Sequence, residues 1–411
     1  GNTVIESAVT VATSNGAVDF SGTINSAANE DNAFTINSGT AGVTLNNTVG
    51  GGTNGEVGAF KINAEGGTGN ISVANIGGAA ATTIGSGVTG TLTLTGTAYT
   101  TTDDTEYEAN SIVISGTNPT FTANTKDISF LDAATGKIKL GNSSNLTVNS
   151  TGAGNISFAA DIIGSSGSAA TDVTLNSGSG NITVFGIGDA TNDIGDISLT
   201  AGTVTLKGDV VTGAWTDGEG NEDVGSFVME GTSALELFGD ARTIDTDNGT
   251  GGPVTFGGTV ESNDSNRALT VSSGAGKVTF TGIIGGTNTD YLGGLAINSS
   301  AGSGVIEIEQ IGDTDNQGGV VGDVTIGNAD TTKIDFDGKI YKINGATTIT
   351  SEGGTSDGTI DFTAGEAVTF TTFDDTTKFV TGVIDIDNDS NLTIASQGGA
   401  IEIQGIRGTS S

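Results

Sequence analysis

The chain predicts an all-β fold, a parallel β-solenoid built of stacked coils, and three observations carry that prediction. A short strand–turn–strand pattern recurs along its length. Successive copies advance by a near-constant step of about 25 residues, within the range of repeat architectures. Gly, Thr, Ser and Asn dominate the turns, with 69 Gly but only 2 Pro, and there is neither Cys nor His. A unit repeated this way cannot bury its apolar face alone and must stack on its neighbours.

The pattern is an aliphatic-Thr-aliphatic step, a polar turn, then a second alternating apolar run. It reads AVTVATSNGAVDFSGTI from Ala8, AFTINSGTAGVTLNNTV from Ala33, AFKINAEGGTGNISVANI from Ala59 and NLTVNSTGAGNISFAADII from Asn145. It returns as DVTLNSGSGNITVFGI from Asp172, ALTVSSGAGKVTFTGII from Ala268, LAINSSAGSGVIEIEQI from Leu295 and NLTIASQGGAIEIQGI from Asn391. The first apolar positions, Val9, Phe34 and Phe60, lie 25 and 26 residues apart; Leu146 to Val173 is 27 and Leu269 to Leu295 is 26. Strands rise about 3.3 Å per residue and stack about 4.8 Å apart, so a coil of that size closes round a thin core with two or three short strands. Roughly 16 coils, a rod of about 80 Å, would follow.

Within the copy starting at Asn145, alternation sends Leu146, Val148, Ile156 and Phe158 inward and Thr147 and Ser157 outward. The third apolar step, at Ile162 and Ile163, Ile187 or Ile311, starts the next face. Turn Asn residues such as Asn149, Asn176 and Asn298 are expected to bond backbone or stack in ladders. Gly16, Gly154, Gly180 and Gly276 are expected at corners that need positive φ. Three less regular stretches, Val88 to Asn142, Leu199 to Gly258 and Ile326 to Val383, read as longer coils. They hold Tyr99, Tyr107, Trp215, Phe227, Tyr341 and Phe370, which either fill widened coils or form a binding face.

A second period lies above the first. Leu146 to Leu269 and Leu269 to Leu392 are both 123 residues, and GAGNISFAADIIG answers GAGKVTFTGIIG. This gives super-repeats at approximately 23–145, 146–268 and 269–391, with partial units at both ends, inside a single continuous solenoid over 1–411. The chain starts at Gly1 without an initiator Met, as expected of a processed product or a segment of a longer protein.

Composition narrows function. A net charge of −35, with 13 basic residues spread thinly, argues against nucleic acid, which needs a basic stripe to displace counterions, and against anionic membrane surfaces. No apolar run approaches the roughly 20 residues of a spanning helix, so direct membrane insertion is not expected. Lacking Cys and His, the chain has no disulfide framework, thiolate nucleophile, zinc site or His-based acid–base chemistry. The arginines, Arg242, Arg267 and Arg407, fall in different coils, so neither an Arg base nor one distinguished carboxylate pair emerges, and no enzyme is expected. The competing enzymatic reading is a β-helix polysaccharide lyase or glycosidase.

Acidic turns are the one chemical constellation: Gly188 to Asp196, Asp245 to Thr250, Gly312 to Gly319, Asp385 to Asn391 and, best, TDGEGNED from Thr216 to Asp223. Ca²⁺ takes six to eight oxygens, carbonyls included. Asp217, Glu219, Asn221 and Asp223 alternate about a Gly-rich bend, which makes them the candidate Ca²⁺ ligands; the alternative is a solvated acidic corner. No EF-hand loop is complete.

The rungs LTVNSTGAGNISF and LTVSSGAGKVTFTG resemble the repeat tracts of bacterial surface exoproteins: filamentous-haemagglutinin-like proteins, autotransporter passengers and giant β-strand repeat proteins. The resemblance covers most of the chain as repeat texture. It implies a right-handed parallel β-helix, export to the cell surface, and a role in adhesion or matrix. The expected function is therefore a structural extracellular rod that joins head to tail with copies of itself into a fibre, or serves as a stalk meeting cell-surface or matrix components. A surface-layer subunit with Ca²⁺-bridged contacts is the alternative.

Overall fold

A computed structural model describes the chain except residues 52–54, 133–135, 142–143, 166–170, 192–193, 217–221, 248–250, 264, 287–289, 314–318, 354–357, 363–366, 373–376, 382, 387–390, 397–398, 404 and 409–411. Among the described residues every regular element is a strand, most of them three to five residues long. Strands that short suit a coil with sharp corners, and the chain supplies a Gly, Asn or Ser turn after almost every one. Two compact units form, Gly1–Ile194 with Thr200–Gly202, and Gly195–Leu199 with Thr203–Ser411.

In the first unit each turn of chain contributes three strands, and each strand pairs in parallel with its counterpart one coil on. One face carries the inward series Val9, Phe34, Phe60, Thr82, Thr105, Ile128, Ile156 and Ile182. The next carries Val18, Val43, Ile71, Leu92, Ile112, Ile138 and Ile162. The last carries Ile24, Val49, Ile76, Tyr99, Phe121, Val148 and Leu175. This is the predicted parallel β-solenoid.

The second unit repeats the plan. Its faces run Ile197, Phe227, Val254, Val278, Ile306, Ile334, Ile360, Ile384 and Ile406; Val204, Leu235, Val260, Ile284, Ile311, Tyr341, Phe370 and Ile394; and Val210, Ile244, Val271, Ile297, Ile326, Ile349, Phe379 and Ile403.

Register makes like stack on like. Leu146, Val148, Ile156 and Phe158 are buried while Thr147 and Ser157 face outward, half-buried. Aromatic rings follow the same rule: Tyr107–Phe130 (5.0 Å), Phe130–Phe158 (4.6 Å) and Phe256–Phe280 (4.4 Å) stack coil on coil. Each buried ring contributes about 1.5–3 kcal/mol by removal from water, and stacking adds about 0.5–1.5 kcal/mol.

The less regular stretches depart from expectation in one respect. Around Val88 to Asn142 the coils are the shortest, with Ile71, Leu92 and Ile112 in register at steps of 21 and 20 residues. Tyr99, Tyr107, Phe227, Tyr341 and Phe370 are all buried, and two of them plug corners. The Tyr99 hydroxyl accepts from the Gly96 N–H (2.8 Å) and donates to the Val73 carbonyl (3.1 Å); Tyr341 accepts from the Gly338 N–H (2.8 Å) and lies 3.2 Å from the Ile308 carbonyl. Around Leu199 to Gly258 the coil is long, as expected: Ile197 to Phe227 is 30 residues, and it holds an antiparallel hairpin, Ala214–Thr216 against Glu222–Val224.

Two corner details correct the glycine reading. Gly16, Gly154, Gly180 and Gly276 are absent from the positive-φ positions, which include their neighbours Gly178 (60°) and Gly274 (56°). Gly154, Gly180 and Gly276 are required for a different reason: a Cβ would run into the carbonyls of Lys126, Gly154 and Gly252 in the preceding coil. Gly16 meets only ordinary contacts with Thr13.

Candidate functional site

The candidate Ca²⁺ ligands fall on the hairpin. Asp217, Glu219 and Asn221 lie outside the described residues. Asp223 is on the returning strand opposite Trp215, and its side chain is likewise outside the description. The described strands flanking the run in sequence, Ala214–Thr216 and Glu222–Val224, pair antiparallel. Among the described residues no group of three or more Asp or Glu side chains is placed to hold a metal ion.

The other acidic turns serve corners. Asp189 sits 2.7 Å from Lys137 and accepts from the Thr191 N–H (2.9 Å) and hydroxyl (2.8 Å). Asp196 accepts from the Ser226 N–H (3.0 Å) and hydroxyl (2.7 Å). Asp245 accepts from the Asp247 N–H (2.9 Å), and burial, then the Asp245 charge, raises the Asp247 pKa. Of the two remaining runs, residues 314–318 and 387–390 lie outside the described residues.

A pattern in these contacts was not read from the sequence. An Asp or Asn just before a strand accepts the backbone N–H at the same corner of the next coil. Asp104 accepts from Asp127 (3.1 Å), Asp127 from Asn155 (2.7 Å) and Asn155 from Asn181 (3.0 Å). Asn118 and Asn145 do the same for Asn145 and Asp172, each at 3.1 Å, and in the second unit Asp209 does so for Thr243 (2.8 Å) and Asp323 for Ala346 (3.1 Å). Acidic residues at these corners thus accept amides that would otherwise lack a partner, as Asp196 of the Gly188 to Asp196 run does. The signal was present: Asx at matching offsets from the strand start, one coil apart.

An open depression of about 320 Å³ in the first unit is lined by Ala81, Thr82, Thr83, Asp104, Thr105, Glu106, Asp127 and Ser129. Asp104 and Asp127 are the ladder members just described, and Lys126 is paired with Asp103 (2.9 Å). That pairing lowers the Asp103 pKa, the Lys126 hydrogen bond being the main cause. Nothing here joins a nucleophile to a base.

The arginines do not converge on a groove among the described residues. Arg242 points into the core, 9% exposed, and its guanidinium donates to the carbonyls of Ala241 (3.1 Å) and Phe238, closing that corner. Arg267 donates its backbone N–H to the Ser262 hydroxyl (2.8 Å). The side chain of Arg407 is outside the description.

Outward carboxylates stack wherever the register repeats them. Glu307, Asp335 and Asp361 follow one another in successive coils. Lys277 pairs with Glu307, and Lys333 bridges Asp335 (2.7 Å) and Asp361 (3.0 Å). Burial lowers the Lys333 pKa, but the two carboxylates outweigh it and the net shift is upward. For Asp335 burial is the largest influence, and together with the Asp361 and Asp337 charges it raises the pKa against the pull of Lys333. Glu236 and Glu261 form a second stack.

The last strands carry the main exposed apolar residues of the second unit. Ile401 is 40% exposed, Ile403 37% and Ile406 56%, all at positions that are buried a coil or two earlier in the same series, as at Phe379 and Ile384. No family model, curated protein or solved structure matches the chain.

Proposed function

We propose that the chain is a structural, extracellular β-solenoid that joins end to end with copies of itself into a cell-surface fibre. The observation that carries this reading is the coil stack itself: within each unit, strand after strand pairs in parallel and in register with its counterpart one coil on. A coil of this kind presents a row of strand edges to the next coil, a template for another strand, and a parallel coil with its own apolar interior is the shape that matches a parallel coil.

The surface reading is supported by the texture it shares with bacterial exoprotein repeats and by the freedom from Cys. No catalytic role is proposed.

Sedimentation velocity over a range of protein concentrations tests assembly. Species larger than the 40.4 kDa chain should grow with concentration and persist in a chelator. A single 40.4 kDa species throughout would refute the reading; assembly abolished by the chelator would favour the Ca²⁺-bridged surface layer instead.

A further inference from the structure

Parallel, in-register coils place identical outward residues on top of one another about 4.8 Å apart, so a repeated carboxylate becomes a row of like charges. The chain meets this in two ways. In the Glu307–Asp335–Asp361 stack, Lys277 and Lys333 sit among the carboxylates, with Asp337 as a further acidic neighbour. The Glu236–Glu261 stack has no such counter-charge among the described residues.

Glu236 is fully engaged: one carboxylate oxygen accepts from the Thr205 hydroxyl (3.0 Å) and the other from the Asn263 amide. Glu261, one coil on, lies against the backbone at Gly286 and has neither hydrogen bond nor ion pair among the described residues. The charged groups that face it are both acidic: Asp290, from the loop after the Val278–Ile284 strand, and Glu236 from the preceding coil. A half-buried carboxyl between two carboxylates is held there by the coil register, not by any favourable partner.

We propose that the Glu236–Glu261–Asp290 cluster is a pH-responsive element that loosens the second unit at neutral pH and tightens it as the medium turns mildly acidic. Burial, then Asp290 and Glu236, raise the Glu261 pKa. A carboxyl raised in the folded state contributes stability fully present below its unfolded value, about 4.3 for Glu, and lost as pH rises through the folded value. The window therefore opens at about pH 4.3 and extends upward, opposite to the acid denaturation of proteins whose carboxylates are ion-paired. Ends and flanks of a chain at −35 also repel less in acid, so the cluster must be separated from net charge.

Thermal unfolding of the full chain, followed by circular dichroism at about pH 7.5 and about pH 5, makes that separation. The wild-type midpoint should rise by about 2 °C or more on acidification. Glu261→Gln, or Glu261→Ala should the amide pack poorly, should raise the midpoint at about pH 7.5 and remove part of the pH dependence. Glu65→Gln removes the same charge from an exposed site and should leave that dependence intact. A wild-type midpoint that is flat or falls in acid overturns the proposal, as does a shift in Glu65→Gln equal to that in Glu261→Gln.

Discussion

Asn63 and Asn298 show what a single residue does in this architecture. Each adopts positive φ, 49° and 45°, a conformation Asn tolerates better than most residues. Each reaches back one coil to the same partner: Asn298 accepts from the Ser273 N–H (2.8 Å) and donates to the Ser273 hydroxyl (3.0 Å), as Asn63 does with Ser38 (2.8 and 3.1 Å). The serine hydroxyl in turn donates to the carbonyl of Gly276 or Ala41. Both asparagines are essentially unexposed, so Asn298→Ala strands a buried amide and adds φ strain; the expected loss is about 2–3 kcal/mol by denaturant titration. The glycines give an opposed pair. Gly276→Ala forces a methyl onto the Gly252 carbonyl and should cost about 2–3 kcal/mol. Gly16→Ala, meeting only ordinary contacts with Thr13 and with no positive φ, should stabilise by about 0.5 kcal/mol through the unfolded chain. The sequence marks these positions as turn glycines but not which constraint acts, because the crowding carbonyl belongs to a residue one coil away.

At the scale of the element, the strand is the unit, and its alternation decides what stacks. Phe130 lies between Tyr107 and Phe158 in one column and meets Phe121 edge-on at 5.1 Å. Phe130→Ala should therefore destabilise the first unit by about 3–5 kcal/mol. Its outward neighbour Ser129 accepts one hydrogen bond, from the Ser157 hydroxyl (3.0 Å), so Ser129→Ala should cost only about 0.5–1.5 kcal/mol, measured in the same denaturation series. Strands and their inward residues were legible because a period of two is local, as at Leu146, Val148, Ile156 and Phe158. Coil length between Val88 and Asn142 was not, because it is set by which residue of the next coil each strand pairs with, a contact made across coils. Gly96 three residues before Tyr99, and Gly338 three before Tyr341, are the local trace of the tyrosine-plugged corners. The Asx corner ladder escaped for the same reason: acceptor and donor are one coil apart, and acidic turns read alone look like cation sites. The antiparallel pairing of Ala214–Thr216 with Glu222–Val224 was not foreseen, since it interrupts the repeat.

For the whole molecule, the 123-residue period does not fall on a whole number of coils: followed from Leu269, the register passes through Thr377 and Ile401. Within the second unit Leu269 belongs to the series through Val271 and Ile297, whereas Leu392 belongs to the series through Phe370 and Ile394. The same rung is thus built on different faces. Faces are interchangeable because each asks only for inward apolar residues, outward polar ones and a corner that leaves room for the carbonyl below. A protein written in such a code can lengthen by duplication without regard to which face the copy begins on, in keeping with a role in which length and regularity matter more than one site. Electron microscopy of the purified chain at increasing concentration tests this most directly. Unbranched filaments with an axial spacing of about 4.8 Å, strands perpendicular to the fibre, are the predicted result; discrete particles of unchanging size at every concentration would contradict it.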